Sequence, residues 1–179
     1  MKKVMVIGAM IGACAFLAGC ATGPQYLSCY GSNVDQQQGD YQNNGGSENM
    51  ANSEVASINA LAADIQNIYA TSNSYKTLTN KLLINAKAVP KKMLNGNTNE
   101  LVNSFGGLIT VAPTKLGSSY AITYNNVPDA ECVKISTGVG NNFSEISVNG
   151  VKITVPVDPS VASLNCQNQS TSNVIVFVN

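Results

Sequence analysis

The residues with the most chemistry to offer are five cysteines, Cys14, Cys20, Cys29, Cys132 and Cys166. Cys20 closes the run Leu17-Ala18-Gly19-Cys20, which follows a positive start at Lys2 and Lys3 and a mostly apolar stretch over 4–16. This is the pattern of a secretory signal ending in a lipobox. Small residues at Ala18 and Gly19 leave the backbone open to a signal peptidase, and the Cys20 thiol can accept a diacylglyceryl thioether. The expectation is a bacterial lipoprotein with a signal peptide over 1–19 and lipid on Cys20. Acyl chains gathered at that cysteine supply the multiple signals that durable anchoring needs. A transmembrane helix needs about 20 apolar residues, and the sequence turns polar directly after Cys20. Ala21 carries no charge that would favour the inner membrane, so the expected site is the outer membrane, with the domain in the periplasm or at the cell surface.

Export also sets the redox compartment. Cys14 leaves with the signal, and disulfides persist outside the cytoplasm. The natural pair among the remaining thiols is Cys132 with Cys166, both in the folded part. In the chain-entropy model, closing a loop of roughly 35 residues is worth about 4 kcal/mol. Cys29 is the odd one out, open to being a free thiol, an intermolecular bridge or an exchange partner. The three thiols lack CxxC spacing, so no metal site is expected.

What is missing narrows the function further. The chain has no His, Trp or Arg, which removes Ser-His-Asp and Cys-His catalysis, His-bearing zinc sites and arginine clamps for phosphate. Charged residues make up only 11% and balance to a net charge of zero, so the basic footprint of a nucleic-acid binder is absent. Lys81, Lys87, Lys91 and Lys92 form the one basic concentration and read as a solvated surface. Asp129 and Glu131 are the nearest thing to a carboxylate pair; as alternating residues beside a strand start they are expected to face solvent. No motif places an acid beside a base, and neither a catalytic residue, a cofactor nor a small-molecule substrate is expected.

The elements that position these residues follow from periodicity. Residues 20–52 are rich in Gln, Asn, Gly and Ser, including Gln36-Gln37-Gln38 and Asn43-Asn44-Gly45-Gly46. Such a stretch buries too little to offset its ordering entropy and reads as a flexible tether, spanning roughly 30 Å as a coil. The folded domain is expected over 53–179. Asn52 or Ser53 caps a helix in which Val55, Ile58, Leu61, Ala62, Ile65, Ile68 and Tyr69 recur at spacings of three and four. Thr71-Ser72-Asn73-Ser74 breaks it, and Tyr75, Leu78, Leu82 and Leu83 suggest a shorter helix ending before Pro90. Short β-rich runs come next, over 108–111, 120–124, 132–136 and 174–178. Residues 143–155 form a hairpin on Asn149-Gly150, a pair that tolerates positive φ at both turn positions. Val148 should then face Val151, and Ile146 should face Ile153. The run 174–178 is apolar on both faces and suits a central strand. Helices followed by strands make an α+β domain, an amphipathic helix on one face of an antiparallel sheet.

The order of these features resembles type IVb pilins, with the secretory or thin conjugative pilins as the nearest likeness. The resemblance spans 55–179: the amphipathic helix, a short helix ending in Ala88-Val89-Pro90 and followed by Met93, a Phe105-Gly106-Gly107 turn, and Ile122-Thr123-Tyr124-Asn125-Asn126-Val127-Pro128 ahead of Cys132. It implies a pilin-like head in which Cys132 and Cys166 match the family's two cysteines and bound its variable, surface-forming region. The chain departs from the family at its start. A pilin enters its filament through a long apolar helix exposed behind a glycine and carrying a glutamate near the new terminus. Gly8 and Gly19 are followed by nothing of the kind. The resemblance therefore implies a lipid-anchored head that touches pilus subunits or the outer-membrane channel, the secretin. The alternative is an adhesin-like recognition lipoprotein.

Overall fold

A computed structural model describes residues 31–96, 98–167 and 172–179, with the side chains at 31–48 and 141 left aside. Cys14, Cys20 and Cys29 lie outside those residues, and with them the signal, the lipid and the unpaired thiol. Two compact units divide between Gly45 and Gly46. The first is described only as helical backbone from Gly31 onward; the second, Gly46–Asn179, holds the helices and strands described below.

Helix α1 covers Gly31–Ile68, so it begins ahead of the cap expected at Asn52 or Ser53. The apolar stripe starts earlier than it reads: Ala51 is fully buried, four residues ahead of Val55. No proline interrupts 31–68, and Gln is a good helix former, so composition argued against burial here without arguing against helix. Within the stripe Ile58, Leu61, Ala62, Ile65 and Tyr69 are buried, while Ile68 is left outside. Helix α2, Asn80–Asn85, is capped by Thr79, whose side chain accepts from the Leu82 backbone N–H at 3.2 Å. It ends before Pro90 as expected, and a 3₁₀ turn at Lys91–Met93 then buries Met93.

Six antiparallel strands follow: β1 (Leu101–Val102), β2 (Leu108–Thr114), β3 (Ser119–Val127), β4 (Glu145–Val148), β5 (Val151–Ile153) and β6 (Asn173–Val178), in the order β1-β2-β3-β6-β4-β5. The hairpin stands in the expected register, with Val148 opposite Val151 and Ile146 opposite Ile153. Its turn residues Asn149 and Gly150 both have positive φ, 52° and 81°. The last strand is central, as its two apolar faces require. Ile175 and Phe177 are fully buried toward the core and Val174, Val176 and Val178 are half-buried on the other side.

Residues 132–136 are not a strand. They lie in helix α3, Asp129–Gly138. Pro128 precedes it, Asp129 and Glu131 occupy its first turn where carboxylates suit the helix dipole, and Cys132, Ile135, Ser136 and Val139 are buried at helical spacing. The β-branched residues of that run pointed to a strand; the spacing of the buried positions decides for helix. A short helix, α4, covers Pro159–Asn165.

α1 lies on the sheet with its axis along β3. The Tyr124 hydroxyl donates to Glu54 at 3.2 Å and the Tyr120 hydroxyl to the Ala62 carbonyl at 3.3 Å. Phe177 then stacks edge-on against Tyr124, ring centroids 6.0 Å apart, and against Phe143 at 5.2 Å, so β6 carries the core across to the second half of the sheet. The Phe105-Gly106-Gly107 turn enters β2, and a Cβ on Gly107 would fall 1.7 Å from the Asn125 carbonyl oxygen. Only glycine lets the two strands close there.

Candidate functional site

The lobe between the two cysteines is built from α3, the β4–β5 hairpin and α4. Cys132 sits on the buried side of α3 and Cys166 at the C-terminal cap of α4, and their sulfurs are bonded across a separation of 34 residues. Asp158 starts α4 by accepting from the backbone N–H groups of Ser160 at 2.8 Å and Val161 at 3.3 Å, with Pro159 in the first turn. The Ser160 hydroxyl and those two N–H groups hold its carboxyl below the usual range.

Asparagines lock the lobe to the sheet. Asn149 accepts from the Val174 N–H at 2.9 Å and donates to the Asn165 carbonyl and to Asn173 Oδ1, both at 2.8 Å. Asn173, fully buried, donates in turn to the Val127 carbonyl at 3.0 Å and to Asp129 at 2.6 Å. Turn, α4, β6 and the start of α3 therefore meet at two side chains. The carboxylates singled out in the sequence do not face water as a pair: Asp129 is tied to Asn173, and Glu131 is buried within α3. Outward, the lobe shows apolar surface at Val151, Val161 and Leu164, the last 73% exposed. Lys152 and Glu145 pair at 2.6 Å beside them, and that contact holds the Glu145 carboxyl below its ordinary range.

A second polar cluster fastens α1 to the sheet. Glu54, 1% exposed, stands four residues before Ile58, inside the apolar stripe. It accepts from the Ser104 N–H at 3.2 Å, the Ser104 hydroxyl and Tyr124, with Lys92 Nζ 3.6 Å away. Lys92 also donates to the Ser53 hydroxyl at 2.7 Å; all four lysines of the basic concentration, Lys81, Lys87, Lys91 and Lys92, are exposed, and Lys92 alone of them is paired with a carboxylate among the described residues. Burial pushes the Tyr124 hydroxyl well above its usual pKa, and the neighbouring Glu54 charge raises it further.

Neither cluster joins a nucleophile to a base at an open cleft. Among the described residues no group of Cys, Asp and Glu is placed to hold a metal ion, and no helix is long and apolar enough to cross a membrane. What the lobe offers is a stiff frame with apolar side chains on its outside. Periodicity held the signals for the parts that sequence reasoning missed. Glu54 stands in register with Ile58, Leu61 and Ile65, and Pro128 followed by two early acids is a helix start. Asn149 was read for its turn geometry, and its side-chain partners are remote in sequence.

One helix on an antiparallel sheet, closed by a disulfide-bounded lobe, is the architecture of a type IV pilin head. The fold is similar to that of TcpA, a type IV pilin from Vibrio cholerae El Tor biotype (TM-score 0.53, 15% identity, 75% of this chain and 99% of that one covered). A second similar chain is the type IVb pilin PilS from Salmonella typhi, at 30% identity and TM-score 0.49, with 72% and 95% covered. The family model described as PilS N terminal matches residues 48–179, and the chain belongs to that family. A search of curated proteins finds no match.

Proposed function

We propose that this chain is a membrane-anchored lipoprotein whose pilin-like domain serves as a non-catalytic accessory or modulator of a type IVb or conjugative pilus system, through contacts with pilus subunits or the outer-membrane channel. The observation that carries the reading is a mismatch between head and stem. A PilS-family head occupies 48–179, yet the residues ahead of it run from Leu17-Ala18-Gly19-Cys20 into a segment of Asn, Gln, Gly and Ser. The helical part of that segment, 31–45, holds Val34 and Tyr41 as its only large apolar residues. A filament core of packed helices is held by buried apolar area, and this stem has almost none to bury. Lipid on Cys20 would instead keep the head at the outer membrane, where pilus subunits pass.

Crosslinking from the domain surface in cells that make the pilus tests the reading. Adducts with the pilus subunit or the channel are expected; recovery of neither from any face of the domain would sink it.

A further inference from the structure

The end of the domain farthest from Gly46 carries a feature that packing does not explain. Along α1, Glu54 meets Tyr124, Ala62 meets Tyr120, and Tyr69 stacks on Tyr75 at 5.0 Å. The last turn of α1 therefore lies beside the hairpin joining β2 to β3, about 30 Å from Gly46 at the usual helical rise. At the tip of that hairpin Lys115, Leu116 and Gly117 have φ of 48°, 61° and 93°. Three successive residues are left-handed, and only the glycine is free of steric penalty there. Leu116 is 92% exposed, more than any other large apolar side chain among the described residues.

The tip is fixed in this shape. The Gly117 carbonyl accepts from the Tyr75 N–H at 2.7 Å and from the Ser74 hydroxyl at 3.4 Å, and a Cβ on Gly117 would fall 2.3 Å from Lys76 Cγ. Beside Leu116 lies an open depression of about 410 Å³, lined also by Lys76, Pro113, Thr114 and Lys115. The two segments that form this end, 72–77 and 113–118, contain Lys76 and Lys115 and no acidic side chain. Glu145, whose carboxylate feels the Lys115 charge, is already paired with Lys152.

The left-handed turn seats the Gly117 carbonyl on Tyr75 and Ser74, but the fold does not require a leucine held out in water on a disfavoured backbone, and retained strain of this kind marks places where a side chain is presented to something else. We infer that the β2–β3 tip is a docking point for an acidic, apolar segment of a protein partner. An apolar side chain of the partner packs on Leu116 and Pro113 in the depression, and its carboxylates reach Lys76 and Lys115. The contact is made at the end of the unit opposite the one where the chain enters. This rests on the pilus-contact reading and gives it an address.

The test places photoreactive p-benzoylphenylalanine at 116, and in separate strains at 108 and 164, in the full-length chain in pilus-making cells. Adducts are probed with antibodies to the major pilus subunit and the channel. A product from 116 is expected, falling about tenfold when Lys76→Glu and Lys115→Glu are combined, since reversed charge penalises an acidic partner. Leu116→Gly, which suits the left-handed backbone, should keep or raise the melting temperature while weakening co-purification of the same subunit. Products from 108 or 164 but not from 116 would overturn the tip and leave the pilus-contact reading standing. No product from any of the three would overturn both. A product from 116 that is indifferent to the charge reversals would overturn the acidic partner.

Discussion

On one side of β6, strands β1 to β3 are held against α1 by a row of fully buried side chains, Ile58, Leu61, Ile65, Ile109, Tyr120 and Tyr124 among them. On the other side, β4 pairs with β6 and the hairpin buries Ile146, Val148 and Ile153, but the helices α3 and α4 over it are tied by a disulfide and by two asparagines that satisfy four segments between them. The first arrangement rests chiefly on non-directional burial, fastened at one point by the Glu54 cluster. The second depends on particular atoms, and leaves apolar residues such as Leu164 on the outside. The core half thus rests chiefly on buried area while the lobe adds directional ties, and the two should respond differently to substitution.

Breaking the element that both halves share should do the most damage. Phe177→Ala removes the ring that touches both Tyr124 and Phe143 and should lower stability by about 3–5 kcal/mol. Urea melts followed by α1 and by the lobe should shift together; separate transitions would show that the two halves do not share a core. Next comes the bridge. Replacing both cysteines by serine should cost about 4 kcal/mol on the chain-entropy model. Hydrogen exchange should rise first across 129–166, with α1 retaining its protection, and the reverse order would undo the contrast between the halves. Asn173→Ala is smaller, about 1–3 kcal/mol, because it takes a buried donor from the Val127 carbonyl and cuts the links to Asp129 and Asn149. A melt unchanged by it would show that water replaces the amide.

Alkali should attack the other half. Burial pushes the Tyr120 hydroxyl from 10.0 to about 12, and Tyr124 stands well above its usual value. The unfolded chain therefore loses these protons first. Stability is fully present below pH 10 and falls as pH rises towards about 12, with Tyr124 extending the loss. Both tyrosines face α1 and the lobe between Cys132 and Cys166 has none. In Tyr120→Phe the alkaline loss of stability should be shallower; an unchanged profile would remove that residue from the account.

Parts of both halves were legible in the sequence, because a helical stripe in the core half and a turn-forming Asn-Gly in the lobe are local signals. The same holds for the central strand, apolar on both faces, and for the pairing of Val148 with Val151. The helices of the lobe were harder to read. The run Cys132-Val133-Lys134-Ile135-Ser136 has β-branched composition and helical burial, and only the partner surface settles which prevails. The Asn149–Asn173 link joins residues 24 apart, a contact that periodicity cannot encode. In the stem, polar composition says little about backbone conformation, and α1 begins at Gly31.

We propose a pilin-family head set on lipid in place of a filament-building helix. Membrane fractionation after an alkaline wash, comparing the natural chain with Cys20→Ala, tests it most directly. The natural chain should stay with the membranes and Cys20→Ala should be released; a Cys20→Ala chain that sediments with the membranes as fully as the natural one would contradict it.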